Sequence, residues 1–103
     1  MITLNLKLQP DIEQRLNYLI SKKGDIDLFF KDFLTYKISQ LEKAIFNMEK
    51  DLRKYERKYK LTSQEFYHQF EAGKFGDEDD YMVWSGIYEL LQENKTELKK
   101  IQW

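Results

Sequence analysis

The chain has 103 residues, 42% hydrophobic and 16% aromatic, with no cysteine and a formal net charge of −1. That composition argues against wholesale disorder. Lack of cysteine excludes a disulfide framework and thiolate metal sites, and no apolar run approaches the ~20 residues of a membrane span.

The first eight residues alternate strictly. Ile2, Leu4, Leu6 and Leu8 fall on one side of an extended segment, and Thr3, Asn5 and Lys7 on the other, the period of a strand. A lone strand needs a hydrogen-bonding partner. A second copy of the same strand is the economical one, which predicts a homodimer. Gln9-Pro10-Asp11 ends the strand, with Pro10 suited to the first turn of a helix. Ile12, Leu16, Leu19 and Ile20 form an apolar stripe on a first helix of about three turns, which Lys22-Lys23-Gly24 stops with basic residues and a left-handed cap.

Asp25 or Asp27 can cap a second helix. Its dense apolar start, Leu28, Phe29, Phe30, Phe33 and Leu34, offers Phe30, Phe33 and Leu34 to the same dimer contact as the strand's apolar face. From Leu34 the pattern becomes a heptad stripe: Leu34, Ile38, Leu41, Ile45, Met48, Leu52, Tyr55 and Tyr59 follow at steps of 4, 3, 4, 3, 4, 3 and 4. A continuous helix from Leu28 to Lys60 is ~50 Å long at ~1.5 Å per residue. Its stripe needs a cover: a second subunit, a partner, or the C-terminal helix folded back as an antiparallel arm. The hydroxyls of Tyr55 and Tyr59 disfavour a plain coiled coil. Residues 61 to 80 are long enough to reverse the chain.

Thr62-Ser63-Gln64-Glu65 fits a capping box and opens a short third helix, about Ser63 to Ala72, carrying Phe66, Tyr67 and Phe70. Gly73 closes it. Asp77-Glu78-Asp79-Asp80 places negative charge at the start of a fourth helix, about Asp80 to Ile101, with Trp84, Ile87, Leu91, Leu98 and Ile101 on one stripe. Gly86 inside that helix suggests close approach of another element.

Charge divides unevenly. Residues 1–60 hold 13 Lys/Arg against 9 Asp/Glu, a balance of +4; residues 61–103 hold 4 against 9, a balance of −5. Basic and acidic ends imply different partners. Catalysis has little support: His68 is the sole histidine, and no triad can be assembled around it. The Asp77–Asp80 run lacks the spacing of a calcium loop. No cofactor, metal ligand, catalytic residue, small-molecule substrate or membrane contact is expected, and the N-terminus lacks the layout of a secretory signal, so the expected compartment is the cytoplasm.

Residues 2 to 45 resemble the ribbon-helix-helix class of DNA-binding dimers, the Arc and MetJ type: an alternating strand, Pro10 opening one helix, Gly24 at the turn, and an apolar start to the next. The resemblance implies two strands paired antiparallel in a major groove. It implies Thr3, Asn5 and Lys7 as base readers, chemistry that suits them, and Arg15, Lys22 and Lys23 as phosphate contacts. One departure stands out. Where the class places Ser or Thr to anchor a phosphate at the second helix, this chain has Asp25 and Asp27. The C-terminal part, Phe70-Glu71-Ala72-Gly73, Gly76 to Asp80 and Trp84 to Glu89, resembles tails of small prokaryotic antitoxins. That resemblance implies a toxin-binding segment comprising Phe70, Phe75, Asp77, Asp79, Asp80, Tyr81, Trp84 and Tyr88, with aromatic anchors and carboxylates facing a basic partner.

The expectation is therefore a mainly α chain: an N-terminal ribbon-helix-helix with one short strand paired across a dimer, a long second helix, and a C-terminal helical arm. Residues 1–46 are the dimerising and DNA-binding region, and 47–103 the arm. The expected function is an antitoxin and autoregulator that binds operator DNA and a cognate protein toxin. The alternative is a dimeric coiled-coil scaffold or adaptor that binds protein partners without DNA.

Overall fold

A computed structural model describes residues 1–103, apart from the side chain of Lys23. Four helices follow in order: α1 (Pro10–Lys23), α2 (Ile26–Tyr59), α3 (Ser63–Glu71) and α4 (Asp79–Ile101). The described residues contain no strand, which corrects the expected ribbon-helix-helix: residues 1–9 adopt no regular structure. The physical reason is the one that made the strand demanding in the first place. An extended segment becomes a strand only when a neighbour accepts and donates its backbone hydrogen bonds, and the helices of this chain spend theirs internally. The mainly helical class stands. No helix among the described residues is long and apolar enough to cross a membrane.

The chain forms two compact units, residues 1–36 and 37–103. In the first, Pro10 stands at the start of α1, and Gly24, at φ 69°, closes it with its N–H donating to the Ile20 carbonyl. Asp25 takes the capping role at α2: its Oδ1 accepts from the Asp27 N–H at 3.0 Å. Leu4, Leu6 and Leu8 lie along α1 and share a groove with Leu16 and Ile20. No described residue of 1–36 reaches full burial.

The second unit is a helical hairpin closed at one end by α3. Ile45, Leu52, Phe66, Trp84 and Leu91 are its buried core, with Met48, Tyr55, Tyr59, Ile87 and Leu98 packed against it. From Ile45 to Tyr59 the heptad stripe is thus covered in cis. The direction is antiparallel, because contacts that rise along α2 fall along α4: Glu49 meets Lys95 at 3.9 Å, Tyr55 stacks on Trp84, and Lys58 meets Asp80 at 2.7 Å.

The reversal between α2 and α3 is built from backbone capping. The Leu61 N–H donates to the Glu56 carbonyl, and Lys60 holds φ 53°. That is a Schellman arrangement with lysine where glycine is usual. Thr62 then caps α3, accepting from the Glu65 N–H at 3.2 Å as the capping box anticipates, and the Glu56 carboxylate accepts from the Ser63 N–H at 2.8 Å. Gly73, at φ 78°, ends α3. Gly86 departs from expectation: it is exposed, and a Cβ there would have nothing within 4 Å. No close approach of another element of the chain explains it.

Candidate functional site

At the closed end of the hairpin the aromatic residues converge. The Trp84 indole is fully buried and lies parallel to Phe66 at 3.8 Å between centroids, and it also stacks on Tyr55 and Tyr59 at 5.6 Å each. Phe66 in turn touches Phe70, Phe75 and Tyr81. Burying an indole requires a partner for its N–H; Nε1 donates to the buried Ser63 Oγ at 2.9 Å. Of the expected toxin-binding set, Phe70, Phe75, Tyr81 and Trp84 therefore belong to one internal cluster, and Trp84 has no surface to offer. Sequence alone showed the stripe that carries Trp84, but it did not show Ser63 as its polar partner. The signal was the buried serine's position one residue after the Thr62 cap.

Two polar contacts pin this cluster from outside. Asp80 Oδ2 accepts from Lys58 Nζ at 2.7 Å and from the Tyr59 hydroxyl at 2.5 Å. These bonds hold the Asp80 carboxyl below its ordinary range, the lysine contact foremost. The same Asp80 contact raises Lys58 and Tyr59. Asp80 is thus committed within the chain, while Asp77 and Asp79 are exposed. Tyr59 acquires the hydroxyl partner its place in the stripe demanded.

On the α3 side, an open groove is lined by Thr62, Glu65, Tyr67, His68, Glu71 and Tyr88, among others. Tyr67 packs on Tyr88 at 4.9 Å and donates its hydroxyl to Glu89 Oε1 at 2.6 Å. That bond raises the Tyr67 phenol above its ordinary value. No group of three or more metal-ligating side chains exists among the described residues.

The N-terminal unit presents a different surface. Ile2, Leu4 and Leu6 are 82%, 62% and 58% exposed, and Leu8, Ile12, Leu19, Leu28 and Phe33 are exposed as well. Phe30 and Leu34 are half-buried. Of the expected dimerisation residues, Ile2, Leu4, Leu6, Leu8 and Phe33 are therefore exposed and Phe30 and Leu34 are partly covered. Thr3, Asn5 and Lys7 are exposed on the irregular segment and share no strand face. Arg15 is exposed, its Nη1 donating to the Asp11 carbonyl at 2.8 Å, and Lys22 reaches over the Tyr18 ring at 6.0 Å. The Lys23 side chain lies outside the described residues.

Comparison with protein-family models, curated proteins and solved structures finds no match.

Proposed function

We propose that this chain is a non-catalytic adaptor that self-associates through its N-terminal unit and presents its C-terminal hairpin to protein partners. One observation carries this: no described residue of 1–36 is fully buried, while Ile2, Leu4, Leu6, Ile12, Leu19, Leu28 and Phe33 are exposed. Units below ~40 residues usually need a disulfide, a metal or association to hold together. The chain has no cysteine, and among the described residues no metal-binding group; association with a second copy is what remains. Transfer of apolar surface from water at ~25 cal/mol per Å² supplies the driving force.

The test is sedimentation equilibrium of the full chain beside Leu4→Glu/Leu6→Glu. A dimer that dissociates at least about tenfold more readily in the variant supports the proposal, since placing two charges in an apolar contact costs several kcal/mol. A wild-type chain that stays monomeric at about 100 μM, where even weak association of −5 to −6 kcal/mol registers, refutes it.

A second function, neutralisation of a basic protein such as a toxin, is favoured by the acidic balance of residues 61–103 and by the exposed Asp77, Glu78 and Asp79 at the head of α4. Here the contact is electrostatic, with the aromatic cluster as its support. Calorimetry with the product of the adjacent gene tests it: Asp77→Asn/Asp79→Asn is expected to weaken binding and steepen nothing else, and unchanged affinity in that variant would end the idea.

A further inference from the structure

The hairpin carries two largely exposed faces; on the α4 face Glu89 is engaged within the unit, accepting from the Tyr67 hydroxyl of α3 at 2.6 Å. With ~100° between successive residues of a helix, Phe46, Lys50, Arg53 and Arg57 share one stripe of α2 that points away from the Ile45–Leu52 core. Phe46 is 62% exposed, and among the described residues no salt bridge engages Lys50, Arg53 or Arg57. On α4, Met82, Gly86 and Leu90 share an outward stripe with Val83 at its edge; Met82, Val83 and Leu90 are each about half exposed. Gly86 leaves a gap among them with open space above it. The same stripe continues through Glu89, Glu93 and Glu97, all exposed.

The two faces match in register. Counted from Phe46, the cations stand at +4, +7 and +11; counted from Gly86, the carboxylates stand at +3, +7 and +11. Laid parallel, a bulky exposed ring meets a position without a side chain, and three positive charges meet three negative ones. Laid antiparallel, the same superposition brings two carboxylates opposite cations, Glu89 opposite Lys43 and Asp79 opposite Arg53, against three in the parallel register. Lys100, the one cation on the α4 stripe, lies beyond Glu97, at the far end of the matched stretch.

We infer that a second copy of this chain docks its α4 parallel to α2, with Phe46 seated over Gly86 between Met82 and Leu90, and Lys50, Arg53 and Arg57 opposite Glu89, Glu93 and Glu97. Glycine lets the ring approach the helix backbone, and the charge pairs set direction and partner, as they do along coiled-coil flanks. Because one patch meets a different patch, the contact is heterologous: one copy of the pair keeps its α4 face free and the other its α2 face, for further copies. It involves only residues of the C-terminal unit and is independent of association through residues 1–36. The two are separable by salt: charge pairing weakens as ionic strength rises, and apolar contact does not.

The experiment is sedimentation velocity on the full chain in about 50 and about 500 mM salt, a span over which screening shortens several-fold. Arg53→Glu/Arg57→Glu and Glu93→Arg/Glu97→Arg are compared alone and as an equimolar mixture, with helicity followed by circular dichroism. The wild type is expected to show a salt-sensitive assembly. Each variant alone is expected to lose it by at least about tenfold through like-charge contact, and the mixture to regain it. Assembly unaffected by either reversal overturns the inference, as does a mixture that fails to recover. Loss in the Arg variant alone, with none in the Glu variant, overturns it too and points to a polyanion on α2. Should a reversal unfold the hairpin, single-cysteine chains keep the question open to test, since the natural sequence has none. Phe46→Cys mixed with Gly86→Cys is expected to give a mixed disulfide, and absence of that species counts against the contact.

Discussion

Trp84 and Ser63 give the sharpest test of how the hairpin is held. Ser63→Ala removes the acceptor of a fully buried indole N–H, a bond of 2.9 Å between two buried groups. Leaving a buried donor unsatisfied costs about 1–3 kcal/mol. Trp84→Phe removes the donor instead, orphans the Ser63 hydroxyl and trims the ring that Phe66, Tyr55 and Tyr59 stack on. When both are replaced, no orphan remains, so the double variant is expected to be more stable than the sum of the two losses by about 1 kcal/mol or more. Trp84→Ala, which also opens a cavity, is expected to cost about 3–5 kcal/mol. Urea denaturation followed by circular dichroism measures all four, and tryptophan fluorescence in a Trp103→Phe background adds a second probe for Ser63→Ala, which keeps Trp84. For a unit of this size each 1 kcal/mol corresponds to roughly 4–8 °C in Tm. Additive losses, or Ser63→Ala within ~0.3 kcal/mol of wild type, would refute the buried hydrogen bond. A Trp84→Ala chain that keeps its stability but loses a partner would restore the side chain to the surface anchor that the sequence suggested.

Lys60→Gly is expected to stabilise the chain by about 0.5–1 kcal/mol, because the residue sits at φ 53° where a Cβ is strained; a loss in chemical denaturation would count against it. Gly86→Ala is expected to add up to ~1 kcal/mol of helix propensity, since the Cβ enters open space, provided unfolding is followed in high salt and at low concentration. Asp80→Asn tests the contact with Lys58 and Tyr59. The folded carboxyl lies below its ordinary value of ~4, so its contribution is present above that pH and disappears as pH falls through the folded value. Wild type and variant should therefore differ in Tm at pH 7 and converge under acid, and a constant gap would remove Asp80 from the pH dependence. With Lys58 largely exposed, the difference at pH 7 is expected to be small.

Local rules were written plainly in the sequence. Pro10, Gly24 and Gly73 mark helix ends because each has a restricted or permissive backbone that acts within a few residues. Thr62 and Glu65 announced the start of α3 for the same reason. The 4, 3 spacing from Leu34 to Tyr59 declared that one stripe of α2 needed a cover. The Asp25 cap was visible too, and it already weakened the phosphate anchor on which operator binding leaned. Phe46 escaped notice because it stands off the heptad stripe, where an exposed apolar residue has no meaning until its neighbours on the surface are known.

What only the tertiary structure decided was which surfaces meet. Alternation in Ile2, Leu4, Leu6 and Leu8 specifies which side chains share a face if the segment is extended, but strand pairing is a property of two segments, and no described segment pairs with residues 1–9. The same limit applied to Trp84. Its stripe was legible, but whether it met a partner or the chain's own helix depended on the turn at residues 60–63 bringing α4 back along α2, so that Phe66, Tyr55 and Tyr59 enclose the indole and Ser63 accepts its hydrogen bond. Propensity and capping act over one or two turns and can be read from order alone. Burial is settled by contacts far apart in the chain, and it is burial that turned an expected docking anchor into the centre of the core and left the N-terminal apolar face uncovered.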